Sequence, residues 1–303
     1  MIVGDLSREA LIGLLANGGL RLRTGPVVNR IQSRLGMVAD GIALHYADHV
    51  VENERGFADF HIRIAPPRSV RRWVGAQVQF LFDGASPFTP LPADQAFAML
   101  EWGLNWCVSS QCHQYLIVHA ACVAKGNAAL LLPGDPGSGK STLCAALVSR
   151  GWRLLSDELA LLELATGRAV PLPRPISLKN ASIDAVRRFA PEARLGAPVH
   201  DTAKGSVAHM KPPTESVRQA TETASPRWIV FPLFESGAPA RLHALSRART
   251  FMHLADHAFN YDVHGRRGFE LLAQVVSGAD CFQFEYGAMQ DAVAVFDDLA
   301  SRA

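Results

Sequence analysis

The residues with the clearest chemistry lie near the middle of the chain. Gly134, Asp135, Pro136, Gly137, Ser138, Gly139, Lys140 and Ser141 satisfy the pattern G-x-x-x-x-G-K-[ST]. Glycines at such positions let consecutive backbone N–H groups turn inward around a phosphate chain, a conformation that side chains would obstruct. Lys140 then brings a compact positive charge to the β- and γ-phosphates of a nucleotide, and the Ser141 hydroxyl can ligate Mg²⁺. Thr142 follows in the helix expected to begin there, whose unpaired N–H groups face the anion. Chance alone would produce the pattern in roughly three in a thousand chains of this composition. ATP and Mg²⁺ are therefore the expected cofactors.

Phosphoryl transfer also needs carboxylates. Asp157 and Glu158 follow the apolar Leu154 and Leu155, 17 residues beyond Lys140 in the case of Asp157. That interval holds one helix and a return strand, and places the pair at a strand's C-terminal end, where α/β sheets bind ligands. One carboxylate can hold Mg²⁺, directly or through water, while the other takes the proton of an acceptor hydroxyl. At about 4 Å and an effective dielectric near 20, each carboxylate–phosphate charge pair costs roughly 4 kcal/mol, so the cation is required. His119 sits in an apolar run, 116–121, and its residue context alone favours a satisfied core histidine over a proton-handling group. The chain has five lysines against 25 arginines, which makes each lysine informative. Lys204, beside Gly205, is the first choice for a cation closing over the γ-phosphate, with Lys179 and Lys211 also weighed and Arg174 as a second phosphate contact. Phe259, Asn260 and Tyr261 are candidates for shaping an acceptor pocket.

These groups need elements to position them. Residues 1–95 read as β-rich: 20–23 and 27–31 flank the turn Thr24-Gly25-Pro26, 57–64 alternates, and 78–82 precedes Asp83-Gly84. A helix is expected over 93–110 from the spacing of Ala96, Phe97, Leu100, Leu104, Cys107 and Val108, with Trp102 and Trp106 read as core packing. Runs at 115–124 and 128–132 form a hairpin that feeds the phosphate loop. A helix over 141–150, strands at 153–155, 159–164 and 228–234, and a final helix over 288–299 complete the reading. Strands interleaved with helices make an α/β fold, and the hairpin gives it an α+β flavour. The chain divides into a β-rich region, 1–95, and a nucleotide-binding core, 96–303. Within the core, 196–226 is rich in Pro, Gly, Ser and Thr without periodicity, and is expected to be a mobile loop.

Composition excludes several classes. Hydrophobic residues make up 49% and charged residues 19%, which suits a folded chain, and the formal charge of +2 calls for neither nucleic acid nor an anionic membrane. The arginine-rich stretch at 68–72 has no recognisable nucleic-acid-binding fold around it. The amino terminus lacks a basic leader, and no apolar run is long enough to span a bilayer. Five cysteines, an odd number without metal or redox spacing, read as reduced thiols of a cytoplasmic protein. The expected partner is the phosphoryl acceptor, with a homo-oligomer left open.

The order of motifs resembles a known family. His119, the loop at 134–141, and Gly151-Trp152-Arg153-Leu154-Leu155-Ser156-Asp157-Glu158 resemble the kinase core of bacterial HPr kinase/phosphorylase, in which the third element reads G-H-R-L-V-A-D-D. The whole chain is most similar to the HprK-related kinase A group, on Glu101-Trp102-Gly103-Leu104-Asn105-Trp106, His119-Ala120-Ala121, the segment 154–159 and the segment 173–180. The resemblance implies a nucleotide-binding core of the phosphoenolpyruvate carboxykinase type, with ATP and Mg²⁺. It puts Asp157 in the position of the base, Glu158 in the second acidic position, where HPr kinases have Asp, and His119 in the active site. The amino-terminal region does not resemble the regulatory domain of that family. The expected activity is transfer of the γ-phosphate to a hydroxyl, a Ser of a small protein or peptide. A small-molecule kinase and a nucleotide-dependent regulatory module without transfer are the alternatives. The acidic pair favours transfer, because a switch needs metal ligation but no base.

Overall fold

Period-two alternation at the amino-terminal end resolves into a five-stranded sheet in the computed structural model, which describes residues 1–53, 56–68 and 75–302. Of the arginine-rich stretch at 68–72, all but Arg68 lies outside the described residues. Strands β1 (Leu20–Thr24), β2 (Val27–Ser33), β3 (Phe60–Ala65), β4 (Gln77–Phe82) and β5 (Leu91–Pro92) lie in sequence order, antiparallel except for β2 and β3. Three helices share one apolar core with this sheet: α1 (Arg8–Ala16), α2 (Gly36–His45) and α3 (Ala96–Gln111).

The region 1–95 is therefore less purely β than its alternation suggests. Helix α1 carries its own signals, the Ser7 side chain accepting from Ala10 N–H at 3.1 Å and Leu11 and Leu15 buried four apart. Helix α2 contains Gly36 and Gly41, poor helix formers, and is held by packing instead. Nor does packing respect residue 95: α3 lies on the first sheet, and Ile117, Leu159, Leu161 and Leu172 join the same core.

The rest of the chain supplies β6 (Tyr115–Lys125), β7 (Ala128–Pro133), α4 (Lys140–Val148), β8 (Arg153–Ser156), β9 (Leu159–Glu163) and β10 (Ala169–Val170). These are followed by β11 (Ile176–Lys179), α5 (Ala181–Phe189), β12 (Val199–Thr202), β13 (Gly205–Met210) and α6 (Thr214–Arg218). The last elements are β14 (Ser225–Phe234), β15 (Arg241–Ala244), α7 (Arg247–Asp256), α8 (Tyr261–Gly278), β16 (Asp280–Tyr286) and α9 (Met289–Ser301). An eight-stranded mixed sheet runs β10-β9-β6-β7-β14-β16-β15, with β8 also paired to β6. In this sheet β14 lies between two parallel neighbours, β7 and β16. The expected hairpin is β6–β7, turned at Gly126, whose φ of 56° suits a residue without a side chain.

The sheet is buried on both faces, and its alternation divides two cores. Ala121, Val123, Leu130 and Leu132 pack with α4 and α9, while Ala120, Cys122, Ala129 and Leu131 pack with α7 and α8. The segment 196–226 is not the structureless loop its composition suggests. It forms β12, β13 and α6, and β13 pairs with β11 from Ile176↔Met210 to Lys179↔Val207. Burial of Val207, Ala208 and Met210 supplies what periodicity did not announce. Among the described residues no helix is long and apolar enough to cross a membrane, and all five cysteines are free and buried.

Helix α3 reaches the first sheet through Gly103, where an added Cβ would lie 2.0 Å from the Phe80 ring. Gly103→Ala is therefore expected to destabilise the fold by about 1–3 kcal/mol through overpacking. The check is a lowered urea midpoint at unchanged slope; an unshifted midpoint would contradict this packing.

Candidate functional site

Strand β7 ends in the parallel strip of the large sheet, and residues 134–139 link it to α4. Gly137 and Gly139 take φ of 91° and 94°, the left-handed region that side chains disfavour. Space is short at Gly139 as well, since a Cβ there would lie 2.4 Å from Tyr286 Oη. The loop is tied to the ends of the neighbouring strands. Phe234 N–H donates to the Ser138 carbonyl at 3.2 Å, and the Tyr286 hydroxyl donates to the Gly139 carbonyl at 3.0 Å. Asp135, Pro136 and Gly137 are exposed, while Gly134 is buried.

Lys140 opens α4 and folds back along the loop, donating to the Gly134 carbonyl at 2.5 Å and the Asp135 carbonyl at 3.1 Å. Burial lowers its pKa below that of an ordinary lysine, opposed by Asp157 and Glu158. Ser141 and Thr142, both half-buried, share the first turn, whose N–H groups have no partner inside the helix. Glycines at positive φ, the free N–H groups of the first helical turn and the Lys140 ammonium are together what holding a polyphosphate requires.

Asp157, at the end of β8, is buried beside it. Its Oδ2 accepts from Ser177 N–H at 2.9 Å, while Oδ1 is buried without a hydrogen bond. Burial first, then the neighbouring Glu158, pushes the Asp157 carboxyl up to about 7, against the pull of Ser177, Ser141 and Lys179. Glu158 goes the other way. Burial resists its ionisation, but Lys179, Lys204, His119 and Arg174 outweigh burial and hold it below the usual carboxylate range. Lys179 Nζ lies 3.6 Å from Glu158 Oε1, and Asn105 Nδ2 donates to Oε2 at 3.3 Å. Two adjacent acids are thus pushed apart by environment, one exchanging its proton near neutrality and one kept ionised.

Lys204 does reach this site, from the turn of the β12–β13 hairpin. Its ammonium lies 5.5 Å over the Trp102 ring, and burial lowers its pKa while Glu158 raises it. Trp102 therefore supports a cation at the site edge, whereas Trp106 packs against Phe82 and Phe88 in the core. Arg174, weighed as a second phosphate contact, is engaged by neighbouring side chains instead. It is buried, with Nη2 2.7 Å from Glu101 Oε2 and Nη1 donating to Asn105 Oδ1 at 2.7 Å. Tyr46 completes the chain by donating to Glu101 Oε1 at 2.6 Å, so a polar relay runs from the end of α2 through α3 to Glu158. Lys211 is also elsewhere, paired with Asp48 at 2.5 Å.

His119 is half-buried on β6, its N–H donating to the His257 carbonyl at 2.7 Å and its ring 5.6 Å from Phe259. Burial first, then the Lys140 charge, lowers its pKa to about 4, so the imidazole is neutral near pH 7. A cleft of about 460 Å³ opens between the loop and the end of α7, lined by His119, Asp135, His253, Asp256, His257 and Phe259. Asn260 has a structural role, accepting from Ile117 N–H at 2.9 Å and donating to the Tyr115 carbonyl at 2.8 Å, and Tyr261 packs on Phe251. Sequence reasoning missed Asn105, His253 and His257. The two histidines stand four apart, His253 in the last turn of α7 and His257 at its C-cap, a spacing that could have flagged them.

Buried polar atoms without hydrogen-bond partners gather here: Trp102 Nε1, Ser138 Oγ, Asp157 Oδ1 and Ser177 Oγ. Native interiors leave few such atoms, so their clustering suits a ligand site. The oxygen donors of Ser141, Asp157 and Glu158 are of the hard type that Mg²⁺ prefers. Among the described residues no three His, Cys, Asp or Glu groups converge on a metal position.

No protein-family model matches the chain, and no curated protein matches it. Among solved structures, the HPr(Ser) kinase/phosphatase from Coxiella burnetii is similar at 12% identity and a TM-score of 0.27, over 62% of this chain and 99% of that one. A likeness at that TM-score carries no weight for function.

Asp157 leaves a stability signature. Because its folded pKa of about 7 exceeds the ordinary value of 3.8, the folded state keeps a proton that the unfolded chain releases. Stability is lost as pH rises through that window, by at most about 4 kcal/mol. In metal-free protein, Asp157→Asn should raise the urea midpoint near pH 8, with the gain shrinking toward about pH 4. Parallel pH curves for parent and variant would contradict the assignment.

Proposed function

We propose that this chain is an ATP- and Mg²⁺-dependent phosphotransferase of the HPr kinase-like type, moving the γ-phosphate to an acceptor hydroxyl. The observation that carries the reading is the meeting of a glycine-rich cradle and Lys140 with a buried Asp157 whose Oδ1 is unbonded. In this reading the loop amides and Lys140 hold the β- and γ-phosphates. Ser141 and Glu158 would hold Mg²⁺, which when bound offsets the phosphate charge beside the acids. Asp157 takes the acceptor proton at Oδ1 as the acceptor oxygen bonds to the γ-phosphorus and ADP leaves. Lys179 and Asn105 keep Glu158 ionised and in place, and Lys204 stands at the edge to meet developing negative charge. Neutral His119 is available to exchange hydrogen bonds at the γ end.

The motif resemblance implies a Ser hydroxyl of a small protein or peptide as acceptor. A small-molecule acceptor is favoured by a separate observation, the 460 Å³ cleft beside Asp135.

Labelled transfer from γ-labelled ATP tests the proposal. Lys140→Ala should weaken nucleotide binding at least roughly tenfold. Asp157→Asn should retain nucleotide binding and lose transfer by about 10²–10⁴-fold. Transfer untouched by Asp157→Asn would remove the base assignment, and binding without transfer to any acceptor would favour the regulatory alternative.

A further inference from the structure

We infer that the cleft between the phosphate loop and α7 is the acceptor site, and that it takes a small hydroxyl-bearing molecule, uncharged or cationic, of monosaccharide size. This rests on the phosphotransferase reading above. Position is the first argument. Lys140 Nζ lies on the Gly134 and Asp135 carbonyls, which marks the end of the cradle where β- and γ-phosphates lie. Asp135 is also a wall of the cleft, and so is His119, on which the Lys140 and Glu158 charges act, so the cleft adjoins the Lys140 end of the cradle, where an attacking hydroxyl must approach in line.

The second argument is the chemistry of the lining. Asp135 and Asp256 contribute carboxylates, and among the described residues no Lys or Arg lines the cleft. Such a wall repels a phosphorylated or carboxylated acceptor and tolerates a neutral or cationic one. His257 makes the requirement more specific. Its Nδ1 lies 2.7 Å from the His253 carbonyl, an acceptor, so Nδ1 carries hydrogen. Its Nε2 is buried without a hydrogen-bond partner, 3.5 Å from Asp135 Oδ1. An ammonium, or two neighbouring hydroxyls of one molecule, brings more than one donor hydrogen and so can meet the Asp135 carboxylate and the unpartnered Nε2 together.

Size and shape agree. A volume of about 460 Å³ lies within the range of small-molecule sites. Phe259 leaves its side chain 53% exposed at the cleft, an apolar platform for the C–H face of a ring.

Saturation-transfer NMR with Mg²⁺ and a non-hydrolysable ATP analogue tests this with four probes on one ring: glucose, glucosamine, glucuronate and glucose 6-phosphate. Glucose and glucosamine should give transfer, and the two anions at least roughly tenfold weaker binding. His257→Leu should abolish the glucosamine signal while nucleotide affinity, read by calorimetry, stays unchanged. Asp256→Asn, at an exposed position, gives the same reading if His257→Leu fails to fold. Equal binding of the anions, a signal surviving both variants, silence from both uncharged and amino sugar, or phosphoryl transfer confined to Ser-bearing peptides would overturn the assignment. Failure of the parent protein to bind the nucleotide analogue would instead sink the phosphotransferase reading itself.

Discussion

Backbone amides can face a phosphate only if the opposite side of the loop is held, and here the parallel strip of the large sheet does the holding. The Ser138 and Gly139 carbonyls are taken by Phe234 N–H and the Tyr286 hydroxyl, from the ends of β14 and β16. Each of those strands is parallel to its neighbour, so all three strand ends arrive on the same side. Gly139 is confined twice, by a φ of 94° and by the Tyr286 hydroxyl that would sit 2.4 Å from any Cβ. The loop's conformation is thus a property of the sheet beneath it as much as of its glycines.

Charge is concentrated on that platform. Of five lysines, Lys140, Lys179 and Lys204 surround Asp157 and Glu158, while Lys125 pairs with Asp297 and Lys211 with Asp48. Three cations beside two acids would be costly to bury if every charge were permanent. The environment splits the acids, Asp157 raised to about 7 and Glu158 lowered, and burial lowers Lys140 and Lys204 as well. The relay from Tyr46 through Glu101, Arg174 and Asn105 then ties the ionised acid to the first sheet. Breaking a buried pair such as Glu101–Arg174 leaves one charge stranded, so the relay also joins the two halves of the chain.

Much of this was legible in the residues because the signals are local. The loop pattern, the hairpin before it and the acids after β8 each depend on neighbours within a few positions. Helix α2 was not legible, since Gly36 and Gly41 argue against a helix that tertiary packing sustains. The hairpin β12–β13 was hidden by composition, as its order comes from pairing with β11, remote in sequence. Arg174 read as a phosphate contact because its charge is visible and its partner, Glu101, is 73 residues away. His119 reads as a core residue from its apolar neighbours alone, while the family resemblance puts it in the active site; the fold sets it half-buried, with Lys140 and Glu158 acting on its ring. His253 and His257 escaped notice because what gives them interest, the cleft, exists only in three dimensions.

The most direct measurement is a crystal structure with Mg²⁺ and a non-hydrolysable ATP analogue. The account predicts the β-phosphate among the amides of 137–141, with Lys140 moved from the Gly134 and Asp135 carbonyls onto the phosphates and Asp157 Oδ1 facing the γ end. A nucleotide bound elsewhere, or Lys140 still held by those two carbonyls with phosphate present, would contradict it.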